Sequence, residues 1–293
     1  MTTALIIGAS GTVGSRLIDD LTSNDGGLTV RLSSRQPATV EKWRSEGRES
    51  VVLDLDTPNT FTEALTGVDR VFLLTGYTAE MLFQSKNLVD AAVDAGVSHM
   101  VHLGVFSSRR DPVPHYAWHD MIEAYIEASG MAWTHLHPNV ITDTILVREP
   151  SIAKTGSFTV NWGEATQGWV TAGDIAAVAA AVLREGPDVH GGKDYYLSSE
   201  LLTGPEVAGI LTDTLGTKIT CRVSNADDQA RYAATIEDAG TRLYIESAAA
   251  KMRHAEAGNL PFELSVRDDT ERVTGHPPTT IAQWAEANLR AHA

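Results

Sequence analysis

The sequence predicts an α/β fold, a parallel sheet wrapped on both faces by helices, with a smaller, mostly helical C-terminal part. Three observations predict it. Short apolar runs alternate with amphipathic stretches through the first half of the chain. Glycines such as Gly96 and Gly130 stand where helix C-caps belong. A glycine-rich turn, Gly8 to Gly14, directly follows the first apolar run.

The elements follow in order. Ala4 to Ile7 is a compact apolar strand, and Val13, Leu17, Ile18 and Leu21 recur at helical spacing after it. Further strands are expected at Leu28 to Leu32, Val51 to Leu55, Arg70 to Leu74, His99 to Val105 and Ala132 to Leu136. Helices are expected at Glu80 to Ala95 and His119 to Ala128. The rhythm changes near Pro150. Short strands are expected at Phe158 to Val160, Gly168 to Val170 and Tyr195 to Leu197, with Asp174 capping an alanine-rich helix over Ile175 to Leu183. Thr203 with Glu206, and Thr280 with Gln283, have the spacing of capping boxes, and Asn225 to Gly258 reads as helical. The expected division is a nucleotide-binding domain over 1–200 and a smaller substrate-side domain over 201–293, with 151–168 contributing to the substrate side.

Composition narrows the function classes. The 293 residues are 43% hydrophobic and 21% charged, enough for a packed core and too apolar for bulk disorder. A net charge of −15 disfavours nucleic acid and anionic membranes, and the densest basic stretch, Arg109-Arg110, is followed at once by Asp111. A lone Cys221 excludes an internal disulfide and fits a reducing cytoplasm. The opening residues lack the charge pattern and length of a signal peptide, and no later run reaches the ~18 apolar residues of a spanning helix. The expected partner is a small molecule, and the expected state a monomer or homodimer in the cytoplasm.

The strongest motif is Gly8-Ala9-Ser10-Gly11-Thr12-Val13-Gly14, between a buried strand and a helix. A pyrophosphate needs backbone amides at a helix N-terminus, and side chains would block its approach. This predicts a Rossmann-type dinucleotide site built on Gly8, Ser10, Gly11, Thr12, Val13 and Gly14. Where an NAD site usually carries a carboxylate, this chain reads Leu32-Ser33-Ser34-Arg35. Arg35 can bind a 2′-phosphate and Ser34 can add a donor, so NADP(H) is the expected cofactor. Asp54, beside Leu55, can accept a bond from an adenine amino group or cap a turn. Thr75-Gly76 ends the fourth strand at the same sheet edge, where a small residue lets a ribose pass.

These residues resemble the NmrA-like branch of atypical short-chain dehydrogenases/reductases. The resemblance rests on the Gly8 to Gly14 loop, Arg35, Asp54-Leu55, the run Asn87 to Ala92 through Ala95-Gly96-Val97, His119 with Glu123 before Ser129-Gly130, Leu136-His137-Pro138-Asn139, and Asp174-Ile175-Ala176. Within the branch the chain is most similar to bacterial NADPH:quinone oxidoreductase and triphenylmethane reductase types. The resemblance implies a smaller C-terminal part closing over the nicotinamide, and NADPH as hydride donor to a flat, conjugated acceptor. It places Arg35 at the 2′-phosphate, Thr75-Gly76 near the nicotinamide-side ribose, and Pro138 and Asn139 beside the nicotinamide. The chain departs from the wider pattern in lacking Tyr-x-x-x-Lys: Tyr116 is followed four residues later by Asp120, and Tyr125 by Ser129. His119 stands where many relatives keep lysine, and His137 where arginine is usual.

A quinone or conjugated imine accepts hydride without a dedicated strong acid, whereas a ketone needs a proton donor. His119 and Tyr116, in the cluster His115, Tyr116, Trp118 and His119 just before a helix, are the catalytic candidates; a structural role for His119 stays open. The ten histidines show no metal-ligand spacing, so no metal is expected. Two classes remain: an NADPH-dependent reductase of a quinone, imine or carbonyl acceptor, and a non-catalytic NADP(H) sensor acting through a protein partner.

Overall fold

The computed structural model describes residues 2–23, 26–146, 152 and 155–289. The expected change of rhythm at Pro150, and part of the 151–168 stretch, lie outside them.

Seven strands form one parallel sheet: β1 (Thr2–Ile6), β2 (Leu28–Ser34), β3 (Ser50–Val52), β4 (Arg70–Leu73), β5 (His99–Leu103), β6 (Ala132–Pro138) and β10 (Lys193–Leu197). Their order, β10-β6-β5-β4-β1-β2-β3, reverses direction between β1 and β4. That reversal opens a crevice at the carboxyl ends of β1 and β4, where open α/β sheets bind ligands. Strand alternation sends Ala4 and Ile6 to one face and Leu5 and Ile7 to the other. The first face is covered by α1 (Thr12–Ser23) and the alanine-rich helix Ala172–Glu185. The second is covered by α3 (Phe61–Leu65), α4 (Met81–Asp94) and α5 (Pro114–Ala128), while α2 (Pro37–Ser45) flanks β2 and β3.

A second core gathers Phe158, Trp162, Trp169, Val207, Leu211 and Trp284. It is framed by three short strands, β7 (Val140–Ile141), β9 (Gln167–Val170) and β11 (Glu200–Leu202), and by the pair β8 (Ser157–Val160) and β12 (Thr220–Val223). Residues 172–197 return to the main sheet between these pieces, so the two cores interleave along the chain. Both expected capping boxes form, Thr203 with Glu206 and Thr280 with Gln283. No helix among the described residues is long and apolar enough to cross a membrane.

Four local expectations are corrected. The alanine-rich helix is capped by Thr171, not Asp174; the Thr171 hydroxyl accepts the Asp174 N–H at 3.0 Å and donates to its carboxylate at 2.8 Å. Helix α5 begins at Pro114, so the histidine-aromatic cluster lies within its first turns rather than before it; proline at the first helical position explains the earlier start. Strand β3 ends at Val52, leaving Asp54 in the following turn. The stretch from Asn225 to Gly258 holds two helices, Ala226–Ala233 and Ala239–Glu256, the second capped by Asp238.

Candidate active site

The Gly8 to Gly14 loop crosses from β1 into α1 at the strand reversal. Gly8 has φ +77°, a backbone that favours glycine, and its carbonyl accepts the Gly11 N–H at 2.9 Å. Gly14 is required by packing: a Cβ there would stand 2.1 Å from the Gly8 carbonyl oxygen. Ser10, Gly11 and Thr12 are exposed at the helix start, whereas Val13 and Gly14 are buried. The loop thus presents bare backbone at the positive end of α1, as an anionic pyrophosphate requires.

Around it stand the other expected cofactor residues. Arg35, immediately after β2, is exposed and makes no ion pair among the described residues. The Ser34 hydroxyl accepts the Gln36 N–H at 3.1 Å and helps shape that corner. Asp54 caps its own turn, one carboxylate oxygen accepting the Asp56 N–H at 3.2 Å, with Leu55 packed against the second-face core. At the end of β4, the Thr75 hydroxyl is buried with no hydrogen-bond partner among the described residues, and Gly76 is exposed. An orphaned hydroxyl beside a glycine at the switch point suits a ribose, which could satisfy it.

Pro138 ends β6, and Asn139 turns the chain toward the second core. The Asn139 amide donates to the Glu263 carbonyl at 3.0 Å and accepts the Val140 N–H at 3.0 Å. Glu263 in turn accepts from the Tyr116 hydroxyl at 2.6 Å and pairs with Lys251 at 3.1 Å; Lys251 also donates to the Gln167 side chain. Tyr116 and Glu263 are both buried, and this network ties α5 and β6 to the C-terminal part.

His119 and Tyr116 do not meet. His119 is 4% exposed, with Nε2 at 3.2 Å from the Tyr77 hydroxyl and Nδ1 at 3.4 Å from His102 Nε2. Tyr77, next after Thr75-Gly76, stacks on Tyr244 from helix Ala239–Glu256 at 4.0 Å between ring centroids. His115 is held by the Ser247 hydroxyl of the same helix at 2.7 Å. This helix packs against the chain just after β4 and the start of α5. Gly240 makes it possible, since a Cβ there would stand 2.6 Å from the Ala79 nitrogen. Sequence reading did not single out Tyr77, Tyr244, Lys251 or Glu263. Only Tyr77 carried a signal, its place after the β4 glycine.

Burial governs the electrostatics. It lowers His119 to about 3, with His137 adding to the effect, so the ring is neutral and a poor reservoir for a proton. It raises Tyr116, with Glu263 adding to the effect. Burial also raises Glu123 to about 7, against the pull of His137. For His137 burial opposes charge, but the Asp194 carboxylate at 2.9 Å and Glu123 outweigh it and the pKa rises.

His99 and His115 make acid stability a test of this interior. Burial lowers His99 to about 4, helped by Arg70, and His115 to about 3, helped by His119. An unfolded chain protonates both near ~6.5. Between there and about pH 4 the unfolded state binds more protons, so stability falls as pH falls. The slope is up to about 1.4 kcal/mol per pH unit for each ring. Thermal melts should show a shallower acid limb for His115→Gln than for wild type. Parallel limbs would contradict a neutral, buried His115.

A cavity of about 430 Å³ lies between the 164–167 turn and the end of helix Ala239–Glu256, with Gln167, Glu256, Leu260 and Glu263 in its wall. It meets the Asn139–Tyr116 network at Glu263. His119, one of the two catalytic candidates, is not in its lining.

Comparison with known proteins agrees with this architecture. The NmrA-like family matches residues 1–261. The NAD(P)H azoreductase of Xenophilus azovorans is 31% identical over 98% of this chain and 98% of its own. Quinone oxidoreductase 2 of Escherichia coli is 26% identical over 95% of this chain and 96% of its own. The solved triphenylmethane reductase of Citrobacter sp. shares the fold, with a TM-score of 0.81 at 23% identity over 99% of this chain and 100% of its own. With the family match over most of its length and a 31%-identical relative covering 98% of it, the chain belongs to the NmrA-like family.

Proposed function

We propose that this protein is an NADPH-dependent reductase of a small conjugated acceptor of the azo, quinone or imine type. One observation carries the reading: bare backbone at the start of α1, the Thr75 hydroxyl with no hydrogen-bond partner among the described residues, and the exposed Arg35 share the carboxyl edge of the sheet beside the strand reversal. A relative that shares nearly its whole length with this chain is named an NAD(P)H azoreductase, which supports the same chemistry.

The residues present fit the cofactor. Gly8 to Gly14 would hold the pyrophosphate, Arg35 and Ser34 the 2′-phosphate, and Thr75 with Gly76 a ribose, with Pro138 and Asn139 beside the nicotinamide. NADPH supplies the hydride when bound. The chain's part is placement and exclusion of water, for which helix Ala239–Glu256 covers the β4 and α5 edge through Tyr244 and Ser247. His119, buried and engaged by Tyr77, orients that ring rather than supplying a strong acid, which suits acceptors that take hydride directly.

Arg35→Ala tests the cofactor half. A charge-assisted contact to phosphate is worth ~1.5–3 kcal/mol, so the NADPH Kd should rise roughly tenfold or more. NADH affinity should stay nearly unchanged. Equal losses for both cofactors, or equal wild-type affinity for both, would remove Arg35 from the 2′-phosphate.

A further inference from the structure

We infer that His102, Glu123 and His135 form a buried site for one divalent transition cation of the zinc class, clasped between the sheet and α5. The residues come from three elements. His102 on β5 and His135 on β6 are register partners, so their side chains rise side by side from one face of the sheet. Glu123 reaches down from α5 above them. No motif spacing links the three, which is why the sequence predicted no metal.

The distances favour a shared ion over hydrogen bonds. His102 Nδ1 and Glu123 Oε1 stand 3.7 Å apart, too far for a hydrogen bond. Two ligands of one tetrahedral ion with bonds of ~2.1 Å lie roughly 3.4 Å apart. Ligand atoms of all three residues fall within 4.8 Å of one another, so modest side-chain rotation completes the set.

The surroundings leave these atoms to a ligand. His102 and His135 are fully buried, yet His102 Nδ1 and both ring nitrogens of His135 have no hydrogen-bond partner among the described residues. Native interiors seldom tolerate such orphans, because each costs ~1–3 kcal/mol unless something satisfies it. The chain also makes room for the carboxylate: a Cβ at Gly104 would stand 2.5 Å from Glu123 Oε1. Outer partners steady the rings. His102 Nε2 faces His119 Nδ1 at 3.4 Å, and His135 stacks on Trp133 at 4.5 Å. For His102 this supplies the partner on the second nitrogen that is usual for a metal-bound histidine.

His137 is not part of the set. Its Nδ1 donates to the Val105 carbonyl at 3.1 Å and its Nε2 to Asp194 at 2.9 Å. Two imidazoles and one carboxylate match zinc better than the oxygen-seeking magnesium or calcium, and leave one position for water.

The test uses tag-free, full-length protein. Metal content is measured as isolated. The protein is then stripped with chelator and titrated with Co²⁺, whose tetrahedral complexes absorb in the visible, and with Zn²⁺ while following the melting temperature. Wild type should take up one equivalent, show the cobalt band and melt higher with Zn²⁺. Glu123→Gln, close in shape, should bind at least about tenfold more weakly. A wild-type chain that contains no metal and responds to neither cation overturns the inference. So does a Glu123→Gln chain that binds as tightly as wild type, since the ion would then sit elsewhere. Neither readout depends on acceptor or cofactor.

Discussion

Gly14→Ala is expected to destabilise the fold and weaken NADPH binding together. The added methyl would stand 2.1 Å from the Gly8 carbonyl oxygen, 2.8 Å from its carbon and 3.1 Å from the Ala9 Cα. All three are backbone atoms and none can rotate away. Helix α1 would have to retreat from β1, opening the face that buries Val13, Leu17, Ile18 and Leu21. Overpacking of this kind costs about 1–3 kcal/mol, and here falls at the upper end because no side chain can yield. The loop moves with the helix, so NADPH affinity should fall more than about tenfold. Gly11→Val separates the two effects. Gly11 is exposed, and a Cβ there would meet only the Gly8 oxygen at 3.1 Å, so the fold should survive with a small shift. Its side chain would intrude on the pyrophosphate path, and binding should be lost. Thermal melts with cofactor titrations check both variants. A folded Gly11→Val protein with unchanged NADPH affinity would remove the loop from the site.

Lys251→Met should be the costliest change outside the sheet. Glu263 is 2% exposed, and Lys251 is its cationic partner at 3.1 Å. Breaking a buried pair from one side leaves an uncompensated charge and costs about 3–5 kcal/mol. The Tyr116 hydroxyl still donates to Glu263, which offsets part of that. Glu263→Gln on the Lys251→Met background removes the stranded charge and should restore most of the stability. Glu263 also lines the cavity, so releasing it from Lys251 should disturb that wall as well. Denaturant melts of wild type, both single variants and the double variant measure the coupling. Additive losses would show that Lys251 and Glu263 do not stabilise each other as a pair.

The sheet was legible because its strands are short apolar runs separated by turn residues, and because Gly8 to Gly14 ties the first of them to a helix. The edge position of β10 was not, since pairing of Tyr195 with Leu136 is a long-range register no local period encodes. The cap on the alanine-rich helix was misplaced because Thr171 and Asp174 can both cap. Only packing shows that Asp174 points back to Thr171 and onward to Thr279. The proposed cofactor residues lie in contiguous stretches after strands, where a local pattern can be read residue by residue. The contacts that tie α5 and the β4 and β6 ends to the C-terminal part involve Tyr77, Tyr116, Asn139, Tyr244, Lys251 and Glu263, far apart in sequence. His119 was singled out for its chemistry, but its burial, invisible in sequence, makes it neutral and gives it to Tyr77.

The most direct measurement is the initial rate of NADPH oxidation by the wild-type protein with an azo dye, a quinone and a conjugated imine, each repeated with NADH. Turnover of at least one acceptor, faster with NADPH than with NADH, is the predicted result. A protein that binds NADPH tightly yet reduces none of them would contradict the reductase reading and leave a non-catalytic dinucleotide sensor in its place.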